Sequence, residues 1–369
     1  MDRRSFIKKA GFAAGGAALG SGALAAPAIA QSAPEVKWRL ASTWPKSIDT
    51  LFGTAELLAK TVSEASDGKF QIQLFAGGEL VPPFEVVDAV GNKTCEMCQT
   101  ASYYFWGKDP TFSFGTAVPF GLTSRMQNAW WYEGGGMDVL NAFYKKFNLY
   151  GMAGGNTGAQ MGGWYRKEIN SVDDFKGLKM RIAGFAGAVF AKLGALPQQV
   201  PAVETYQQLE KGQLDATEFV GPYDDQTLGF AKVAKYYYYP GWWEGGAMTH
   251  FFVNLELWEG LPKAYQAILT AASAQANLHQ QSRYDAVNPP ALRKLVAEGA
   301  ELRAFSPEVL AACFKAANEV FDEKSAENAD FKTVYEAMKA FRNEAYLWNQ
   351  LTDGTFDNFM MAQQRAGAL

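Results

Sequence analysis

Histidine and cysteine are scarce in this chain: among 369 residues, His250 and His279 are the only histidines, and Cys95, Cys98 and Cys313 the only cysteines. Two histidines cannot supply a histidine-rich metal centre, and they leave little for a triad built on an imidazole base. Three cysteines make no disulfide framework. Cys95 and Cys98 form a C-x-x-C, but no second pair completes a set of four zinc ligands. The motif also runs into the aromatic stretch 103–106 instead of opening a helix as a redox pair does. Buried core cysteines are the expectation. A basic excess is missing as well. The chain has 34 Lys and Arg against 38 Asp and Glu, a net charge of −4, which gives no basic footprint of the kind a phosphate backbone needs and argues against nucleic acid as a partner. There is no G-x-S-x-G, no H-E-x-x-H, no Walker sequence and no dinucleotide fingerprint placed after a strand, so an enzyme reading lacks a nucleophile, a base and a cofactor cradle.

What is present begins with an address. Arg3-Arg4-Ser5-Phe6, with Lys8 and Lys9, precedes a Gly-rich, weakly apolar run from Ala10 to Ala26, and Pro27-Ala28-Ile29-Ala30 offers small residues for cleavage. The paired arginines resemble a twin-arginine export signal, and the mild apolar run suits that route. Residues 1–30 are expected to be a cleaved signal peptide, which makes the remainder periplasmic. Removing Asp2 together with Arg3, Arg4, Lys8 and Lys9 subtracts +3, so the −4 of the whole chain becomes −7. The glycines of the run argue against a membrane anchor, and no later segment is apolar over the length of a span.

Beyond the leader, alternation at Val36, Trp38 and Leu40 predicts a strand. Helical spacing of Leu51, Phe52, Ala55, Leu58 and Val62 predicts a helix closed by Asp67-Gly68, and Phe70, Ile72 and Leu74 predict a second strand. With a helix near 83–90, this opening places the chain in the α/β class. The same grammar returns with strands at 149–153, 178–182 and 215–220 and helices at 186–193 and 203–211, which implies a second α/β lobe. Ser306-Pro307-Glu308 opens a helical C-terminal quarter, with helices over 309–324 and 331–348.

Three charged residues stand in apolar surroundings. Alternation puts Arg181 on one strand face with Lys179. Its guanidinium can take a carboxylate through two parallel bonds, although spacing alone favours a solvated arginine. Glu218 and Glu244 are flanked by apolar residues and need a partner, either a structural arginine or a bound cation or ligand group.

The runs FAGGEL (75–80), DFKGLKMR (174–181), LGA (193–195) and LEKGQLDATE (209–218) resemble the solute-binding proteins of tripartite ATP-independent periplasmic (TRAP) transporters. The runs GGNTGAQMGG (154–163), EFVGPYDD (218–225), YYYYPGWWEGG (236–246) and MMAQQ (360–364) resemble the branch that binds 2-oxo acids. The resemblance implies a periplasmic-binding-protein-like α/β fold: two lobes with a ligand cleft between them, crossing hinge strands, a long helix and a helical C-terminal region. One lobe would comprise 31–157 with 245–285, the other 158–244 with 286–369.

It also implies that Arg181 holds the carboxylate of a pyruvate-like 2-oxo monocarboxylate. A bridging Na⁺, with Ca²⁺ left open, would be held by the side chains of Gln160, Glu218 and Glu244 and the main-chain carbonyl of Phe219. That branch often carries tryptophan where this chain has Phe219; a main-chain ligand survives the change, whereas pocket shape need not. Tyr104 is a candidate donor to the ligand and Trp243 a candidate apolar wall. No organic cofactor and no catalysis are implied, and the small-molecule ligand would pass to a membrane permease. A 2-hydroxy acid such as lactate, an aromatic acid or a polyol remains an alternative cargo, and an exported cofactor-bearing enzyme a different class. Phe331, Val334, Tyr335, Met338, Phe341, Tyr346, Leu347 and Trp348 exceed one buried stripe, so the late helices are expected either to cover the lobes or to pair two copies of the chain in a homodimer.

Overall fold

Two mixed sheets organise residues 34–369, the part of the chain that the computed structural model describes. The leader expected at residues 1–30 lies outside the described residues. In the first sheet the strand order is β2-β1-β3-β10-β4. β1 (Val36–Ser42) pairs in parallel with β2 (Phe70–Phe75) and β3 (Met97–Thr100), while β10 (Met248–Asn254) runs antiparallel between β3 and β4 (Leu149–Asn156). The predicted β1–helix–β2 opening is present, its helix spanning Phe52–Ala65 and ending before Asp67 and Gly68, both at positive φ. The second sheet has the order β11-β9-β5-β8-β6-β7, built from β5 (Gly163–Tyr165), β6 (Lys179–Arg181), β7 (Leu196–Gln198), β8 (Ala216–Thr217), β9 (Tyr236–Tyr239) and β11 (Glu301–Ala304). These strands are short, and the strand expected over 215–220 shrinks to two residues, because the chain leaves the sheet there to form the site described below.

The chain crosses between the sheets three times. Residues 157–162 lead from β4 to β5, residues 240–247 lead from β9 back to β10, and the helix Lys263–Ala297 carries the chain from the first sheet to β11. The first two crossings are bonded to each other: Thr157 N donates to Ala247 O (3.0 Å), Gln160 N to Glu244 O (3.1 Å) and Gly241 N to Gln160 O (2.9 Å). Gly241 has to be glycine for this approach, since a Cβ there would sit 2.9 Å from Gln160 O. The long helix packs Tyr265, Leu269, Ala272 and Ala276 against Trp38, Leu40, Leu58 and Val62 under the first sheet, and further on it contributes Tyr284 and Leu295 to the larger core. It continues through Pro289 and Pro290, each of which removes a backbone donor from the helical ladder.

The C-terminal helices Pro307–Glu327, Ala329–Leu351 and Asp353–Arg365 follow. The first starts as expected, with Ser306 Oγ accepting from Val309 N and Pro307 in the first turn. Phe331, Val334, Tyr335 and Met338 are buried and Phe341 and Ala345 pack against the core, but Tyr346, Leu347 and Trp348 stand exposed, so the end of the second helix presents apolar side chains that this chain's own core does not cover. Cys95 and Cys98 are buried free thiols, as anticipated, and burial pushes Cys95 up to about 11. No described helix is long and apolar enough to cross a membrane.

Candidate functional site

Backbone geometry brings three chain segments together beside the paired crossings. β6 aligns Arg181 with Thr217 of β8, and the chain after β8 turns so that Val220 O accepts from Met161 N (3.1 Å). Gly163 makes room for that turn: it has φ +86°, and a Cβ there would lie 2.5 Å from Thr217 O and 3.0 Å from Glu218 Cβ. Gln160 therefore sits between Glu244 on one side and the 218–220 segment on the other. Five residues proposed from sequence for ligand or cation, Gln160, Arg181, Glu218, Phe219 and Glu244, fall within this one convergence.

Arg181 is 2% exposed, which overturns the solvated-arginine reading favoured by spacing. Alternation places a residue on a face, but it cannot say that the face looks into an apolar interior. The guanidinium forms a buried ion pair with Glu218 Oε1, donates to Glu218 O (2.7 Å) and Val200 O (3.2 Å), and lies 5.5 Å from the Phe219 ring centre. Burial alone would lower its pKa, but the neighbouring Glu218 charge more than compensates and keeps it protonated.

The two glutamates outnumber the one arginine. Burial pushes the Glu218 carboxyl up in spite of Arg181, and burial together with the Glu218 charge holds Glu244 well above the usual carboxylate range. Trp243 lies beside Glu218 and the Tyr103 phenol beside Glu244, each easing ionisation.

Three oxygens at this convergence are buried and accept no hydrogen bond: Gln160 Oε1, Glu218 Oε2 and Glu244 Oε2. A folded protein satisfies nearly all its buried polar atoms, so unmet oxygens mark strain, an ordered water or a guest. All are hard donors, suited to an alkali or alkaline-earth cation and ill suited to a soft metal. No group of three or more His, Cys, Asp or Glu that could hold a metal occurs among the described residues. A cation here would thus depend on the glutamine amide and main-chain oxygens besides the two carboxylates.

A small cavity of about 10 Å³, room for about one water molecule, adjoins these groups. Tyr103 and Tyr104 wall it from the first sheet, Gln160 and Thr157 from the crossing, and Phe219 and Val220 from the second sheet. Tyr104 stands edge-on to Tyr103 (4.9 Å) and interacts with Arg181. Trp243, buried against Phe190 and Trp242, does not line it. Sequence reading singled out Tyr104 and passed over Tyr103, whose place in the same aromatic run was visible but whose contact with Glu244 was not. It also missed Asp224 and Asp225, two buried carboxyls that burial raises to about 6 and about 7. Asp224 accepts from Thr50 (2.6 Å) and Tyr284 (2.7 Å), and Asp225 from Trp164 (3.0 Å) and Tyr237 (2.6 Å).

Residues 40–328 match bacterial extracellular solute-binding protein family 7, DctP. The chain belongs to that family. It is similar to the monocarboxylate 2-oxoacid-binding periplasmic protein of Nostoc sp., 45% identical over 99% of this chain and 100% of that one. Among solved structures it is similar to a TRAP transporter solute-binding protein of Bordetella bronchiseptica, described as a dimer with copurified calcium and picolinate in one active site and the other apo (46% identity, 90% of this chain, 99% of that one, TM-score 0.89). A TRAP solute-binding protein of Pseudoalteromonas atlantica with bound sodium and pyruvate has 38% identity, 88% and 99% coverage and a TM-score of 0.85. The family member described here is accordingly a periplasmic TRAP solute receptor and not an enzyme, with the α/β fold that the resemblance implied.

Proposed function

We propose that this receptor captures a short 2-oxo monocarboxylate of the pyruvate class together with Na⁺ or Ca²⁺ and presents it to the membrane permease. The observation that carries this reading is the trio of buried, unpartnered oxygens, Gln160 Oε1, Glu218 Oε2 and Glu244 Oε2, beside a permanently charged Arg181. Those residues, with the Phe219 carbonyl, would hold the cation. When bound, the cation supplies positive charge for the keto and carboxylate oxygens, while Arg181 holds the carboxylate and Tyr104 donates to it. Trp243 serves as an apolar support behind Glu218. Among the described residues, the two bodies proposed to close on the ligand are 34–157 with 245–285 and 158–244 with 286–369.

Calorimetric titration of pyruvate into protein stripped of ligand and divalent ions, with and without added Na⁺ or Ca²⁺, tests the reading. Binding that needs the cation is the expected result. Equal binding in its absence, or preference for lactate, benzoate or a polyol in parallel titrations, would reject it.

The exposed apolar residues Tyr346, Leu347, Trp348, Leu351, Phe356 and Phe359 lie on the last two helices and are proposed to pair with a second copy of this chain. The Bordetella relative, described as a dimer, supports that partner. Sedimentation should give twice the mass of one chain, and Leu351→Glu should return it to the single mass.

A further inference from the structure

We infer that Thr157 is a positioning residue that sets which end of the Gln160 amide faces the cation; this rests on the cation reading above. Thr157 follows β4, is 4% exposed, and its backbone N donates to Ala247 O (3.0 Å). A threonine hydroxyl has one proton to give and two lone pairs to accept with. Here the proton goes to Gly158 O (2.9 Å), and the lone pairs take Gln160 Nε2 (3.0 Å) and Ala247 N (3.4 Å).

The consequence is directional. Because the hydroxyl proton is committed to Gly158, the hydroxyl cannot donate to Gln160 Oε1 and can only accept from the amide nitrogen. The NH₂ end is therefore held against Thr157 and the carbonyl end is turned away from it, and that carbonyl oxygen is one of the three buried atoms without a partner. Had the amide the opposite orientation, it would present two N–H donors to a cation. The hydroxyl does for Gln160 what an outer hydrogen bond does for a metal-binding histidine: it fixes the ligand's orientation before the ion arrives. The link also spans both crossings, since the oxygen that holds Gln160 also takes the Ala247 N–H from the segment that carries Glu244.

Thr157→Val keeps the shape and removes the hydroxyl. The expected result, read by titration of Ca²⁺ or Na⁺ into stripped protein at fixed pyruvate, is cation binding weaker by about 10- to 100-fold, the range for outer-sphere partners. Thr157→Ser should stay within a few-fold of the parent, and the melting temperature of the stripped Ser variant should match it. Gln160→Ala is the control that separates failures. If Gln160→Ala weakens cation binding and Thr157→Val does not, the positioning role is wrong and the cation reading stands. If neither weakens it, the cation reading falls and the inference with it. Should the valine variant fold poorly, Thr157→Ala carries the same expectation, and cation binding at parental strength in either well-folded variant overturns the inference.

Discussion

Arg181→Ala should lose at least about 2 kcal/mol of pyruvate affinity, close to 30-fold, the scale for removing one partner of a desolvated charge pair. The fold should weaken at the same time. Arg181 and Glu218 form an ion pair with side chains 2% and 3% exposed, and breaking such a pair leaves an uncompensated buried charge worth about 3–5 kcal/mol. The lower end of that range applies, because Glu218 is already pushed up by burial and can escape by taking a proton. Calorimetry and thermal melts on the same sample separate the two effects. Arg181→Lys should restore the charge but not the fork, which now reaches Glu218 O and Val200 O at once, so its melting temperature should recover more than its affinity. Parental affinity in Arg181→Ala would remove the arginine from the ligand site.

Glu244→Gln should separate stability from function. Burial and the Glu218 charge hold the Glu244 carboxyl well above its ordinary value of 4.5, so stripped protein keeps its proton to higher pH than a free glutamate does, and a glutamine mimics that protonated state. The sign of the pH effect follows. A raised folded pKa gives stability that is complete below 4.5, where the unfolded chain is protonated too, and that is lost as pH climbs toward the folded value. The stripped Gln variant should therefore match the parent in acid and melt at a progressively higher temperature than the parent as pH rises. Cation binding must expel the proton, so the parent's cation affinity should weaken on acidification, whereas the variant should bind the cation at least about 10-fold more weakly at neutral pH and with a flatter pH profile. A variant that keeps parental cation dependence would show that Glu244 is not a ligand.

The opening βαβ unit, the caps at Ser306 and Pro307 and most helices were legible because they rest on local spacing and turn chemistry, which the chain carries within a few residues. The long helix Lys263–Ala297 was not placed by periodicity. Its face changes partner part-way, from the first sheet to the second, and Pro289-Pro290 reads as a stop. Only tertiary packing keeps it continuous. For the site, residue identity was legible through resemblance, but environment was not. Nothing near Arg181 in sequence tells that the guanidinium faces Glu218, 37 residues later. Tyr103 and Thr157 escaped notice because a hydroxyl acquires its role from whichever acceptor the fold sets beside it. Phe219 shows the opposite case: a change of ring is conspicuous in sequence, yet a main-chain carbonyl at that position does not depend on which ring it carries.

The bonded pair of crossings has a mechanical consequence. When a door turns, points near the hinge pins travel least, and Gln160 and Glu244 sit on two of the three segments that join the sheets. Rotation of one sheet against the other would leave these two oxygen donors nearly where they are, while Arg181 on one leaf and Tyr104 on the other swing through the full arc. An ion seated at the pins would keep Gln160 and Glu244 with the door ajar or shut, whereas Glu218 and the Phe219 carbonyl, which travel with Arg181, would reach it together with the acid's anchor.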